Sequence, residues 1–258
     1  MSRAIPSIDQ LLHEVRRSTK PIAFVLAGHN GSGKSTLWYQ KLAPTLKIPL
    51  VNADRLMLSI LPEPEDGLIP PWAQRLRDDD ERWQKLAQEG VRVFKQLVMN
   101  GRMPFAFETV FSHWKLLPNG EHQSKIDDIK AMQEAGYFVV LLFVGLTNVD
   151  MSILRVSTRK EMGGHDVAVK KLRERFPRTQ KAIGEASKVA DMSLMFDNSR
   201  GFAHAFTLVR AQKKSRLIYD ARAPQYGTDP ELLQVSSDWL EKVVGTELPK
   251  KLPASILN

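Results

Sequence analysis

The chain has 258 residues, 43% of them hydrophobic, enough to bury a substantial core as one large domain or two small ones. It contains no cysteine, which excludes disulfides, thiol catalysis and thiolate metal sites and leaves chemistry to carboxylates, hydroxyls, lysine and histidine. An excess of 37 Lys and Arg over 29 Asp and Glu predicts attraction to an anionic partner, and the lack of a long apolar run or a secretion signal predicts a soluble cytoplasmic protein without a membrane contact.

The chain opens on an amphipathic helix with Ile8, Leu11, Leu12 and Val15 on one face. Lys20 to Ala27 is continuously apolar after its first residues and is followed by a glycine, the pattern of a buried strand. A helix is predicted from about Lys34 to Leu42, then a strand at Ile48 to Val51 and a helix from near Asp54, which together make a right-handed βαβ unit. Residues 61 to 71 hold four prolines and read as a surface loop able to fold over a substrate.

One long helix is expected from Ala73 to Asn100, ended by Gly101, with a strand at Phe105-Ala106-Phe107 directly after it. A helix from Gln123 to Ala135 leads to the strongest strand pattern, Tyr137 to Val144. The basic helical region Val149 to Val189 is broken at Gly163-Gly164, where His165 reads as part of a hinge. Ser193 to Phe196 is a last short strand, followed by a hairpin at Phe206 to Val209 and Arg216 to Tyr219 and a helix over Asp229 to Val244. This alternation predicts an α/β fold, a mostly parallel sheet with helices on both faces and a helical lid. It is read as a single domain over 1–258, with the core at about 20–200, the lid at about 150–180 and an extension at about 201–258.

Gly28-His29-Asn30-Gly31-Ser32-Gly33-Lys34-Ser35 matches G-x-x-x-x-G-K-[ST] between a predicted strand and a predicted helix. Glycines let backbone N–H groups close round phosphate oxygens, and the helix start adds its positive dipole end. Lys34 is then expected to face the β and γ phosphates of a nucleoside triphosphate or similar ligand, and Ser35 to offer its hydroxyl to Mg²⁺.

Asp54 lies just past the second strand, where ligands bind in open parallel sheets; its carboxylate can accept a proton from an attacking hydroxyl or can cap the next helix. Glu108 ends the third strand and can bind substrate hydroxyls, hold a metal through water, or face solvent. Arg155 and Arg159 share a helix face at i, i+4 spacing; on a lid they can neutralise charge on a transferred phosphoryl group, and otherwise they form a solvated basic face. Arg173, Arg175 and Arg178 lie beyond the hinge, while Trp72, Trp83 and Trp114 can stack a base or pack a core.

With these residues in view, the chain resembles the zeta-toxin family of kinases, in the branch labelled as ABC-type ATPases, over about residues 22 to 200. The resemblance is carried by Gly28 to Thr36, Asn52-Ala53-Asp54, Phe107-Glu108-Thr109, Gly145-Leu146, Arg155 and Arg159, Gly163 to Val167, and Arg175-Phe176-Pro177-Arg178. It implies a nucleoside-kinase-like fold of the P-loop NTPase kind, Mg-ATP as donor, held by Gly28, Asn30, Gly31, Ser32, Gly33, Lys34, Ser35 and Thr36, and a sugar hydroxyl of UDP-N-acetylglucosamine as acceptor. By the same carry-over Asp54 is the base, Asp54, Glu108 and Thr109 line the acceptor cleft, Arg155 and Arg159 stand near the phosphates, and Asp197-Asn198-Ser199 holds the adenine. An antitoxin protein is implied by kinship alone. Two other readings stay open: a kinase for a nucleoside, a dinucleotide or a nucleic-acid end, and a regulatory NTPase. Clustering of arginines by the lid, rather than along a continuous groove with aromatics, favours a small phosphorylated metabolite over nucleic acid. No Leu-Ser-Gly-Gly-Gln signature supports the NTPase reading.

Overall fold

The computed structural model describes residues 4–62, 69–161, 167–214 and 216–248. Helix α1 (Ile8–Arg16) starts at a capping box, in which the Ser7 hydroxyl accepts from Gln10 N–H and the Gln10 side chain accepts from Ser7 N–H; it buries Leu11, Leu12 and Val15. Strand β1 (Ile22–Gly28) is buried from Ala23 onward. The helix after it is not uniform. α2 (Lys34–Leu37) passes through a π turn at Trp38–Leu42 into α3 (Ala43–Leu46), and the Ala43 N–H reaches back to Trp38. Pro44 has no N–H and its ring clashes with a carbonyl four residues back, so the widened turn ahead of it relieves the conflict.

Strand β2 (Leu50–Val51) and α4 (Ala53–Leu58) complete the first crossover. The single helix expected over 73–100 is two, α5 (Pro71–Asp79) and α6 (Glu81–Asn100). The break is at Asp80, whose extended backbone and carboxylate, accepting from Arg82 N–H at 2.8 Å, make it the N-cap of α6. Of the proline-rich loop, residues 63–68 lie outside the described residues, and Pro71 already belongs to α5.

Strand β3 (Phe105–Thr109) precedes an unforeseen hairpin, β4 (Trp114–Leu116) with β5 (His122–Ser124), pinned by a stack of Trp114 on His122. Helix α7 (Ile126–Glu134) therefore starts three residues later than expected. Then follow β6 (Phe138–Gly145), α8 (Val149–Glu161), α9 (Val169–Val189), β7 (Met192–Asp197), β8 (Thr207–Lys213), β9 (Arg216–Asp220) and α10 (Pro230–Val244). The expected hinge at Gly163-Gly164-His165 lies outside the described residues.

The main sheet runs β2-β3-β1-β6-β7-β8-β9. Its first five strands are parallel; β8 and β9 add an antiparallel edge from the C-terminal segment. The chain leaves β1 for β2 on one side, while β6 flanks β1 on the other, so the carboxyl ends of β1 and β3 border a topological switch point. In that register Leu26 pairs with Glu108 and Ala27 with Thr109, which brings the residues after β1 and those ending β3 to one edge. Among the described residues no helix is long and apolar enough to cross a membrane.

Candidate active site at the carboxyl edge of the sheet

The phosphate loop turns from β1 into α2 through Gly31 at φ +69° and Gly33 at φ +89°, both in the left-handed region that side chains disfavour. Space is as restrictive as conformation there. A Cβ on Gly31 would stand 3.0 Å from Arg155 Cβ, and one on Gly33 would meet Asn198 Nδ2 at 2.7 Å. The loop is thus held from two sides, by α8 and by the turn after β7. Ser152 Oγ donates to the Asn30 carbonyl at 2.7 Å, Asn198 Nδ2 donates to the Ser32 carbonyl at 2.9 Å, and Arg155 Nη2 donates to the Asn198 carbonyl at 2.8 Å.

Lys34 is 7% exposed, and its ammonium donates to the carbonyls of Gly28 at 3.1 Å and His29 at 3.0 Å. Burial pushes its pKa below the ordinary lysine value; Glu108 and Asp54 pull it back up, and Arg159 acts against them. Glu108 stands 3.8 Å from the Lys34 ammonium, and its other oxygen accepts from Ser35 Oγ at 2.8 Å and from Asn52 Nδ2 at 2.7 Å.

Asn52 settles one of the open alternatives. Its side-chain oxygen accepts from the Asp54 N–H at 2.8 Å, so Asn52 caps α4 and Asp54 is released from that task. Asp54 is exposed, with its charge felt by Lys34 on one side and by Arg175 of α9 on the other. Burial and Arg178 push Arg175 down, while Asp54 raises it.

The structure thus gathers Lys34, Ser35, Asp54, Glu108 and Arg159 at one edge. Thr36 sits exposed one step along α2, and the Thr109 hydroxyl accepts from Phe111 N–H at 3.2 Å, shaping the turn after β3. Two contributors went unassigned in the sequence: Asn52, which orients Glu108 while capping the helix of Asp54, and Arg175. Both stand inside the motifs quoted above, which was the available signal. His29 has a structural task, since its ring stacks on Phe176 of α9 at 3.7 Å and burial pushes its pKa down to about 3.

Ser35 and Glu108 are oxygen donors at hydrogen-bond distance from each other, the hard-ligand chemistry Mg²⁺ takes when nucleotide phosphates and water complete its shell. Among the described residues there is no cluster of three or more His, Cys, Asp or Glu side chains that could hold a metal ion.

A family model described as zeta toxin matches residues 8–201. No curated protein matches the sequence. Among solved structures, the chain is similar to one from the PezAT chromosomal toxin-antitoxin system of Streptococcus pneumoniae, at 14% identity and a TM-score of 0.53, covering 94% of this chain and 87% of that one. It is also similar to the AvrRxo1-ORF1:AvrRxo1-ORF2 structure with sulphate ions, at 17% identity and a TM-score of 0.54, covering 92% and 84%. A third match is AvrRxo1-ORF1:-ORF2 with ATP, at 14% identity and a TM-score of 0.55, covering 90% and 66%. At these identities the likeness is one of fold.

Proposed function

The chain belongs to the zeta toxin family and is an ATP-dependent phosphotransferase; from that premise we propose that it transfers the γ-phosphate of Mg-ATP to a sugar hydroxyl of a nucleotide sugar of the UDP-N-acetylglucosamine class. The observation that carries this reading is the convergence of Lys34, Ser35, Glu108 and Asp54 at the carboxyl ends of β1, β3 and β2. Kinship with the family supports this choice of acceptor class, and the exposed Asp54 beside Arg175 suits an acceptor that brings a hydroxyl and a negative charge together.

Lys34 moves from the carbonyls of Gly28 and His29 to the β and γ phosphates, with the loop N–H groups around them. Mg²⁺, held through Ser35 and Glu108, supplies charge neutralisation of the phosphates when bound. Asp54 takes the proton of the acceptor hydroxyl as its oxygen bonds to the γ-phosphorus; the bond to the β–γ bridging oxygen breaks and ADP leaves with that electron pair. Arg159 lies within electrostatic reach of Lys34 and stabilises the equatorial oxygens, while Arg155 holds the Asn198 turn against the loop. An antitoxin partner is part of the proposal, since the PezAT structure is of a toxin-antitoxin system.

The test is to incubate the purified protein with γ-labelled ATP, Mg²⁺ and a panel of nucleotide sugars, nucleosides and short oligonucleotides, with Lys34→Ala as control. Label on UDP-N-acetylglucosamine supports the proposal. Label on another compound replaces the acceptor and keeps the kinase. Free phosphate with no labelled acceptor favours a regulatory NTPase.

A further inference from the structure

The family match ends at residue 201, yet the helix beyond it is fastened to the floor of the phosphate loop. Trp239 of α10 is fully buried, and its indole N–H donates to Asp197 Oδ2 at 2.9 Å. Asp197 ends β7, is itself fully buried, and accepts as well from the N–H and the hydroxyl of Ser199, both at 2.9 Å. A buried carboxylate needs such donors; here burial raises its pKa above the ordinary range, and these bonds and the charge of Arg200 hold it down. The turn it organises carries Asn198, which reaches the Ser32 carbonyl in the loop and receives Arg155 from α8.

Two further ties join α10 to the same turn. Ser199 Oγ accepts from Thr147 N–H at 2.9 Å, and the Thr147 hydroxyl donates to the Val235 carbonyl in α10 at 3.1 Å. Arg200 pairs at 2.9 Å with Asp229, whose carboxylate caps the first turn of α10. Gly145, a residue of the sequence resemblance, fits this arrangement too: a Cβ there would stand 2.6 Å from Trp239 Cζ2. An indole that found no use for its N–H would be replaceable by any flat ring; this one has a charged partner one residue from the nucleotide cradle.

We infer that α10 is a working part of the nucleotide site: through the Trp239–Asp197 hydrogen bond it positions the Asn198–Ser199 turn against the phosphate loop, so that Trp239 and Asp197 are positioning residues for ATP. This rests on the phosphate loop being the ATP site.

The experiment measures the dissociation constant of a non-hydrolysable Mg-ATP analogue by calorimetric titration on the full chain, together with its melting temperature. Trp239→Phe keeps the ring but removes the N–H. Losing a hydrogen bond to a charged partner corresponds to a roughly tenfold weaker analogue binding, about 1.4 kcal/mol. Val15→Ala loosens the core at a buried position of α1, an element outside the network, and is expected to lower the melting temperature with the dissociation constant unchanged. If Trp239→Phe does not fold, Ser199→Ala removes one donor to Asp197 and is expected to weaken binding in the same direction. Unchanged binding in the folded variant, or an equal loss in Val15→Ala, overturns the inference. Absence of analogue binding in the unaltered protein sinks the ATP site itself and is recognised separately.

Discussion

Ser35 and Glu108 are 73 residues apart in sequence, and the Ser35 hydroxyl donates to the Glu108 carboxylate at 2.8 Å beneath the phosphate loop. The same carboxylate oxygen holds Asn52, and its twin faces Lys34. A pair that acts as a unit loses most of its function with either partner. Ser35→Ala and Glu108→Gln are each expected to lower kcat by on the order of 10²-fold, with the double variant well short of the product of the two. Steady-state rates of the four proteins give the coupling; simple multiplicativity would show that the two residues work separately.

Asp54 is exposed, and the cap of its helix is supplied by Asn52. Replacing it therefore has little structural cost. Asp54→Asn is expected to change unfolding free energy by less than about 0.5 kcal/mol and to leave analogue affinity unchanged. kcat is expected to fall by about 10²–10⁴, the usual contribution of a general base. Retained turnover in a folded Asp54→Asn protein would remove it from the chemistry.

Gly33→Ala probes the cradle through its backbone. At φ +89° the added Cβ costs about 1–2 kcal/mol, and its approach to Asn198 Nδ2 at 2.7 Å displaces the bond from Asn198 to Ser32, adding about 1 kcal/mol. The melting temperature is expected to drop by on the order of 5–10 °C. Stabilisation by the ATP analogue is expected to vanish, because the N–H groups aimed at phosphate are turned away; scanning calorimetry with and without analogue reads both.

The sheet and the loop were legible because their signals are local. Apolar runs such as Phe138–Gly145, flanked by glycine, fit buried strands, and the glycine spacing of 28–33 fits a tight turn between a strand and a helix. The hairpin at 114–124 is not legible in the sequence because its strands are only three residues long, mostly exposed, and show no sustained apolar alternation. The break at Asp80 was hidden because the apolar pattern continues across it, although an aspartate before a run of helix formers is a cap signal. At the site, Lys34 and Ser35 announce themselves, but the double use of Asn52 arises from the juxtaposition of β2 and β3, which a linear reading does not supply. The Trp239–Asp197 contact spans 42 residues and was out of reach for the same reason.

The stack of His29 on Phe176 predicts an acid sensitivity with a definite sign. Burial, reinforced by the Lys34 charge, lowers the imidazole from 6.5 to about 3 in the folded protein, so the folded ring stays neutral while the unfolded one gains a proton below pH 6.5. Above pH 6.5 both states are neutral and the group has no effect; as pH falls from 6.5 toward 3 the unfolded state binds the extra proton and stability is lost. Between pH 7 and pH 5 the loss from this group is about 2 kcal/mol. His29→Phe keeps the stack and removes the titration. Its unfolding free energy is expected to decline less than that of the parent protein over this interval by about that amount. Denaturant titrations at the two pH values measure the difference, and parallel declines would mean that His29 is already protonated, or solvated, in the folded state.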